Sequence, residues 1–163
     1  MDFSRQTLAT ALLVSVILAS PVRSGFIVAA TESVQSDKAR DFHLINEDGR
    51  PVRLSDFRGK AVLVSYIFTR CPMPTMCPLV TSKMAQVQKA INQALGDRMV
   101  LLSTTFDPAY DTPAVLKEYS ERYDADFSNW HFLTGDAAKI QAAAQDANVI
   151  YKDMGEGNFA HRP

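Results

Sequence analysis

The chain has 163 residues, with 17 Lys and Arg against 18 Asp and Glu and a formal charge of −1. That length holds one domain with a tail, and the near balance of charge excludes a nucleic-acid binder that displaces counterions from a basic face. Hydrophobic residues make up 47%, which excludes a disordered chain, and two cysteines exclude a disulfide-dense scaffold, a four-cysteine zinc site and a cysteine-ligated iron–sulfur cluster.

Residues 1–30 read as a secretory signal peptide. A short start carries Arg5, residues 8–19 are apolar, and Ser20-Pro21 ends the run. Cleavage is expected at Ser20 or, preferably, at the Val28-Ala29-Ala30 step; no cysteine lies near either point to carry a lipoprotein anchor. The alternative is an uncleaved anchor, although Pro21 and Arg23 interrupt the stretch that would have to span. Both readings put the domain outside the cytoplasm, periplasmic or membrane-anchored and facing the periplasm. Removing Asp2, Arg5 and Arg23 with the leader leaves 15 basic against 17 acidic residues. Residues 31–40 are polar and read as a linker to a domain at 41–163.

Residues 41–45 and 51–54 flank Asn46-Glu47-Asp48-Gly49 and predict a hairpin around an Asp-Gly turn. Residues 55–60 form a polar connection. Residues 61–68 are nearly all apolar without alternation, which predicts a strand covered on both faces. Residues 77–95 predict a helix with the stripe Val80, Met84, Val87, Ile91 and Leu95, stopped by Gly96. Residues 98–106 are a second buried strand. Asp111-Thr112-Pro113 opens a helix with Val115, Leu116, Tyr119 and Tyr123 as its stripe. Residues 130–133 are a short strand, and Thr134-Gly135-Asp136 starts a third helix to about Ala147, with Ile140, Ala143 and Ala147 inward. Residues 148–151 are a last short strand, followed by a Gly155-Glu156-Gly157 loop. The alternation of strands and helices implies an α/β sheet with helices on its faces.

The chemistry is expected in Thr69-Arg70-Cys71-Pro72-Met73-Pro74-Thr75-Met76-Cys77-Pro78, between a buried strand and a helix, where open α/β folds gather ligands. Both cysteines fall here. Cys77 is expected at the helix cap, where the positive helix end favours thiolate, and three prolines stiffen the loop. Two nearby thiolates suit Cu(I) or a reversible disulfide, and His161, after the glycine-rich loop, is the candidate imidazole. The plainer readings are an inert disulfide and a solvated loop histidine. His43 and His131 read as structural, Met84 as core, and Met73 and Met76 as loop packing whose thioethers could touch copper transiently. Asp107-Pro108 reads as a turn, with an acid placed near a metal loop. A thioredoxin-type Cys-x-x-Cys is absent, since five residues separate Cys71 from Cys77, and a peroxiredoxin-type motif falls one residue short in each gap.

Taken together, Phe68-Thr69-Arg70-Cys71-Pro72, Cys77-Pro78, Asp107-Pro108-x-x-Asp111-Thr112-Pro113, Leu116-x-x-Tyr119, Trp130 and Leu133-Thr134-Gly135 resemble the Sco/SenC family over about residues 41–161. The resemblance implies a thioredoxin-like fold, with a central mixed sheet flanked by helices. It implies a copper-binding metallochaperone that holds copper through Cys71, Cys77 and His161. The partners it implies are the copper-site subunit of a respiratory cytochrome oxidase, whose cysteines the protein would metallate or reduce, and thiol reductants of the same compartment. The family loop usually has three residues between its cysteines. The five found here move Cys71 outward and favour the alternative of an extracytoplasmic thiol–disulfide oxidoreductase in which Cys71 and Cys77 are catalytic. Family members also continue into another strand and a closing helix, so a fold lacking the final strand and helix is expected.

Overall fold

The computed structural model describes residues 39–155 and 157–162, the last two by their backbone. The leader and most of the linker lie outside the described residues. The first segment is a hairpin of β1 (His43–Ile45) and β2 (Pro51–Arg53). Its turn forms because the Asn46 side chain accepts from the backbone N–H of Asp48 and of Arg50 (3.1 and 2.8 Å) and Gly49 takes a φ of +75°. Upstream of it, Arg40 forks onto the Asp146 carboxylate at 2.9 Å.

The centre is a parallel sheet in the order β3 (Ala61–Ile67), β4 (Met99–Thr105), β5 (Trp130–Leu133). β4 lies between two partners, and six of its seven residues are buried. β3 pairs on one side only among the described residues, so most of it is half-buried rather than covered on both faces. The buried Ser103 survives in this apolar core because it is hydrogen-bonded on two sides. Ser65 and Ser103 hydroxyls meet at 2.9 Å, and the Trp130 indole donates to Ser103 at 2.9 Å. The hairpin joins this layer through an antiparallel bridge between Ile45 and Thr134, so the antiparallel element of the fold lies at its margins.

Helix α1 (Cys77–Ala94) ends where Gly96, at φ +58°, leaves the helix. Its inward face is Cys77, Thr81, Met84, Gln88 and Ile91, rotated from the predicted stripe; Val80 and Leu95 are exposed. Tertiary partners decide this rotation. Thr81 exchanges a hydrogen bond with the Tyr119 hydroxyl, and Gln88 donates to the Asp126 carbonyl and Asn129 Oδ1 at 2.6 and 2.7 Å. Helix α2 (Pro113–Glu121) starts as expected, with Thr112 capping and Pro113 in the first turn.

Helix α3 (Ala137–Asp146) is capped by Asp136, and it buries Ile140 and Ala144, not Ala147. It stops in a Schellman motif: Asn148 at φ +56°, with Val149 N–H on the Ala144 carbonyl (2.8 Å) and Asn148 N–H on that of Gln145 (3.0 Å). Residues 148–149 belong to that stop, so β6 begins later than predicted, at Ile150–Asp153. β6 then turns back through the glycine-rich loop into β7 (Phe159–Arg162), an antiparallel partner that the sequence reading leaves as loop. Among the described residues no helix is long and apolar enough to cross a membrane.

Candidate functional site: the cysteine loop and its cleft

The cysteine loop leaves β3 at its C-terminal end, beside the end of β4, as the sequence predicts. Three long-range ties hold it there. The first is Asp111, whose carboxylate is fully buried. It accepts from the Thr69 backbone N–H at 3.1 Å and from the hydroxyls of Thr69 and Thr105. Burial raises its pKa above the usual carboxylate value, against the pull of those hydrogen bonds.

The second tie is Arg70. Its guanidinium donates to Asp107 at 2.6 Å and lies over the Tyr110 ring, 4.0 Å from the centroid. It also fills the space beside Gly157. A Cβ there would sit 2.4 Å from Arg70 Nη2, and the φ of +74° independently demands glycine. One side chain, carried by the cysteine loop, thus touches the Asp107–Tyr110 turn and the β6–β7 turn.

The third tie is aromatic. Phe68, Phe106 and Phe159 pack mutually with tilted rings and centroids 5.1–5.2 Å apart, and Tyr151 stacks on Phe106 at 5.0 Å. These rings dock the β6–β7 hairpin onto the ends of β3 and β4.

Cys71 and Cys77 are both reduced; Cys77 is 3% exposed and Cys71 half-buried. They lie close enough to interact, since Cys71 is among the groups that raise the pKa of the Cys77 thiol. Cys77 is the first residue of α1, with Met76 at the cap. The expected thiolate preference is reversed. Burial pushes the Cys77 thiol up to about 12, and Cys71 adds to the rise; a backbone hydrogen bond at Phe68 opposes it without prevailing. Desolvation outweighs the helix end because the sulfur points into the core rather than toward solvent.

A cleft of about 320 Å³ opens on the loop, lined by Phe68, Cys71, Met73 and Met76 on one side and by Phe159 and Ala160 on the other. His161 follows Ala160 directly on β7, its backbone paired with Tyr151. Among the described residues no three His, Cys, Asp or Glu side chains converge as a metal site. His43 is largely exposed, 4.0 Å from Asp41, and His131 sits 3.4 Å from the buried Glu47; neither lines the cleft at the cysteine loop. Sequence reasoning assigns no role to Arg70, Gly157 or Phe159. It read Asp107 as a turn, although a carboxylate at the end of a buried strand was a signal that a cation or hydroxyl donor must meet it.

A family profile described as SCO1/SenC matches residues 30–162. A SCO1/SenC family lipoprotein from Bacillus anthracis superposes with a TM-score of 0.69 at 30% identity, over 76% of this chain and 73% of that one. Bradyrhizobium japonicum ScoI, solved with copper bound, gives 0.64 at 25% identity, over 76% of each chain. BsSco, a member of the Sco family of cytochrome c oxidase assembly proteins in which a disulfide switch was identified, gives 0.61 at 32% identity, over 68% of this chain and 63% of that one. The SCO1 protein homolog of Bacillus subtilis is 33% identical over 124 residues, 74% of this chain; the match spans 63% of that protein's length. The thioredoxin-like fold implied by the sequence resemblance is therefore the observed one.

Proposed function

The chain belongs to the SCO1/SenC family, and from that membership we propose that it is a copper-binding accessory protein that serves assembly of the copper site of a respiratory oxidase. Cys71 and Cys77 are the two sulfur ligands, and His161 is the third. The observation that carries this reading is the closeness of the chain's two thiols on one loop at the C-terminal end of a parallel strand, with Cys71 on the wall of the cleft and Cys77 buried. The donor set fits the ion: two sulfurs in a mostly apolar setting select a soft monovalent metal over harder divalent ones. His161 is supported by its place on β7, next to a residue that lines the same cleft.

Copper is cargo here. Each thiol that binds it releases a proton to water, so affinity falls as pH drops. Arg70, Asp111 and the aromatic cluster hold the loop and hairpin together, so the ligands meet the ion without first being ordered. The recipient is the copper-bearing subunit of the oxidase, in line with the assembly family to which BsSco is assigned. The domain works outside the cytoplasm, exported or anchored through residues 1–30; the similarity to a lipoprotein supports that placement.

The test is Cu(I) titration of the reduced full chain. One equivalent binds; Cys71→Ala or Cys77→Ala abolishes this and His161→Ala weakens it. Unchanged binding in the double cysteine variant overturns the proposal.

The closeness of the thiols also favours a second reading. As a thiol–disulfide oxidoreductase, the pair gives two electrons and two protons to a partner protein's disulfide and closes a Cys71–Cys77 bond. Turnover on an extracytoplasmic protein disulfide supports it. A pair potential below about −300 mV marks a stable structural bond instead.

A further inference from the structure

The cleft is not lined by thiols alone. Cys77 is 3% exposed and absent from its lining, whereas Met73 is 50% exposed and lines the cleft together with Met76 and Cys71. An ion arriving from solvent therefore meets two thioethers and one thiol before it can reach the second thiol.

The backbone brings these sulfurs together. Met76 N–H donates to the Met73 carbonyl at 3.0 Å, closing a turn with Pro74 at its second position. A turn closed this way holds its first and fourth Cα atoms within about 7 Å, and proline at the second position stiffens it. The same Met73 carbonyl accepts from Cys71 Sγ at 3.8 Å, which tethers the thiol to the turn. The opposite wall holds Asn158, Phe159 and Ala160, so the sulfurs face a mostly apolar surface with one amide and no carboxylate.

A thioether carries no proton and no charge. It binds a soft monovalent ion at any pH and binds hard divalent ions poorly. It also releases the ion readily to a thiolate. An exposed methionine contributes little by packing, so its position on the cleft rim is better explained by its sulfur than by its bulk.

We propose that Met73, Met76 and Cys71 form a capture subsite for Cu(I) at the cleft rim, from which the ion passes inward to Cys71 and Cys77. This rests on the copper-binding reading above and adds the route to it. Transfer is ligand exchange. Sulfur–copper bonds to the methionines break as those to the cysteines form, each bound thiol gives its proton to water, and no electrons move.

The test uses Ag(I), which resembles Cu(I) in its ligand preference, and full-length reduced protein carrying ¹³C-methyl methionine. In the Cys77→Ser variant, Ag(I) shifts the methyl signals of Met73 and Met76 and leaves Met84, Met99 and Met154 in place. In wild type, the same two signals move transiently during loading. Met73→Leu/Met76→Leu still binds one equivalent of Cu(I), yet takes it from a chelator about tenfold more slowly. Silent Met73 and Met76 signals in both proteins, or loading by the leucine variant within twofold of wild type, overturn the capture subsite. With the one-equivalent stoichiometry intact, that result leaves the copper reading standing. Failure of wild type to bind Cu(I) at all overturns both.

Discussion

Asp111→Ala should cost about 3–5 kcal/mol of unfolding free energy, and Asp111→Asn about 1 kcal/mol or less. The carboxylate is fully buried and holds three donors. Alanine strands all three. The Thr105 hydroxyl is itself fully buried, and its oxygen already accepts from Asp107 N–H at 2.9 Å, so losing its acceptor costs about 1–3 kcal/mol. The two half-buried donors of Thr69 add about 1 kcal/mol each. Asparagine keeps the shape. Its carbonyl takes the place of Oδ2, serving Thr69 N–H and Thr105, and its NH₂ faces the Thr69 hydroxyl, which rotates to accept.

The pH dependence separates the two variants further. A carboxyl whose pKa is raised in the fold binds its proton more tightly there than in the unfolded chain. Its contribution to stability is complete below the unfolded value of 3.8 and is lost as pH rises through the folded value. Wild type should therefore lose stability relative to Asp111→Asn as pH climbs through that window, and the difference should then become flat. Urea unfolding of all three proteins at a series of pH values, with m unchanged, is the assay. An asparagine variant as unstable as the alanine one, or an alanine cost under about 1 kcal/mol, would refute the reasoning.

Three more outcomes follow from the same geometry. Iodoacetamide at neutral pH should alkylate Cys71 alone in the reduced fold, because Cys77 is buried and keeps its proton; mass mapping reads this, and equal labelling contradicts it. Gln88→Leu keeps the volume but strands Asp126 N–H and Asn129 Oδ1, so it should destabilise by about 2–4 kcal/mol in denaturant melts. Gly157→Ala should lower Tm by forcing Arg70 off its place, and in an Arg70→Ala background only the left-handed backbone cost of about 1–2 kcal/mol should remain; equal losses in both backgrounds would contradict the contact.

Much of this was legible along the chain. Helix starts such as Thr112-Pro113 and Asp136 are local chemistry, needing only a capping oxygen and a residue that gives up its N–H without loss. The cysteine loop was placed at the end of β3 because an apolar run followed by a proline-rich break has few other readings. The stripe on α1 was misjudged by about one position, because Thr81 and Gln88 look like surface residues until Tyr119, Asp126 and Asn129 arrive from about 40 residues away.

β7 shows the same limit at the site itself. Phe-Ala-His-Arg has no period that marks a strand, and it becomes one by pairing with β6 and seating Phe159 between Phe68 and Phe106. The protonation of Cys77 was likewise beyond local reading, since helix position argued for thiolate and desolvation by the surrounding fold decided for thiol. Sequence by itself determined the order of elements, the loop that carries both sulfurs and the family they resemble, because propensity, capping and residue type act over a few neighbouring residues. Tertiary structure alone decided which groups share the cleft, which sulfur solvent can reach and how Arg70 ties three turns together, because burial and ion pairing depend on residues that only the folded chain makes adjacent.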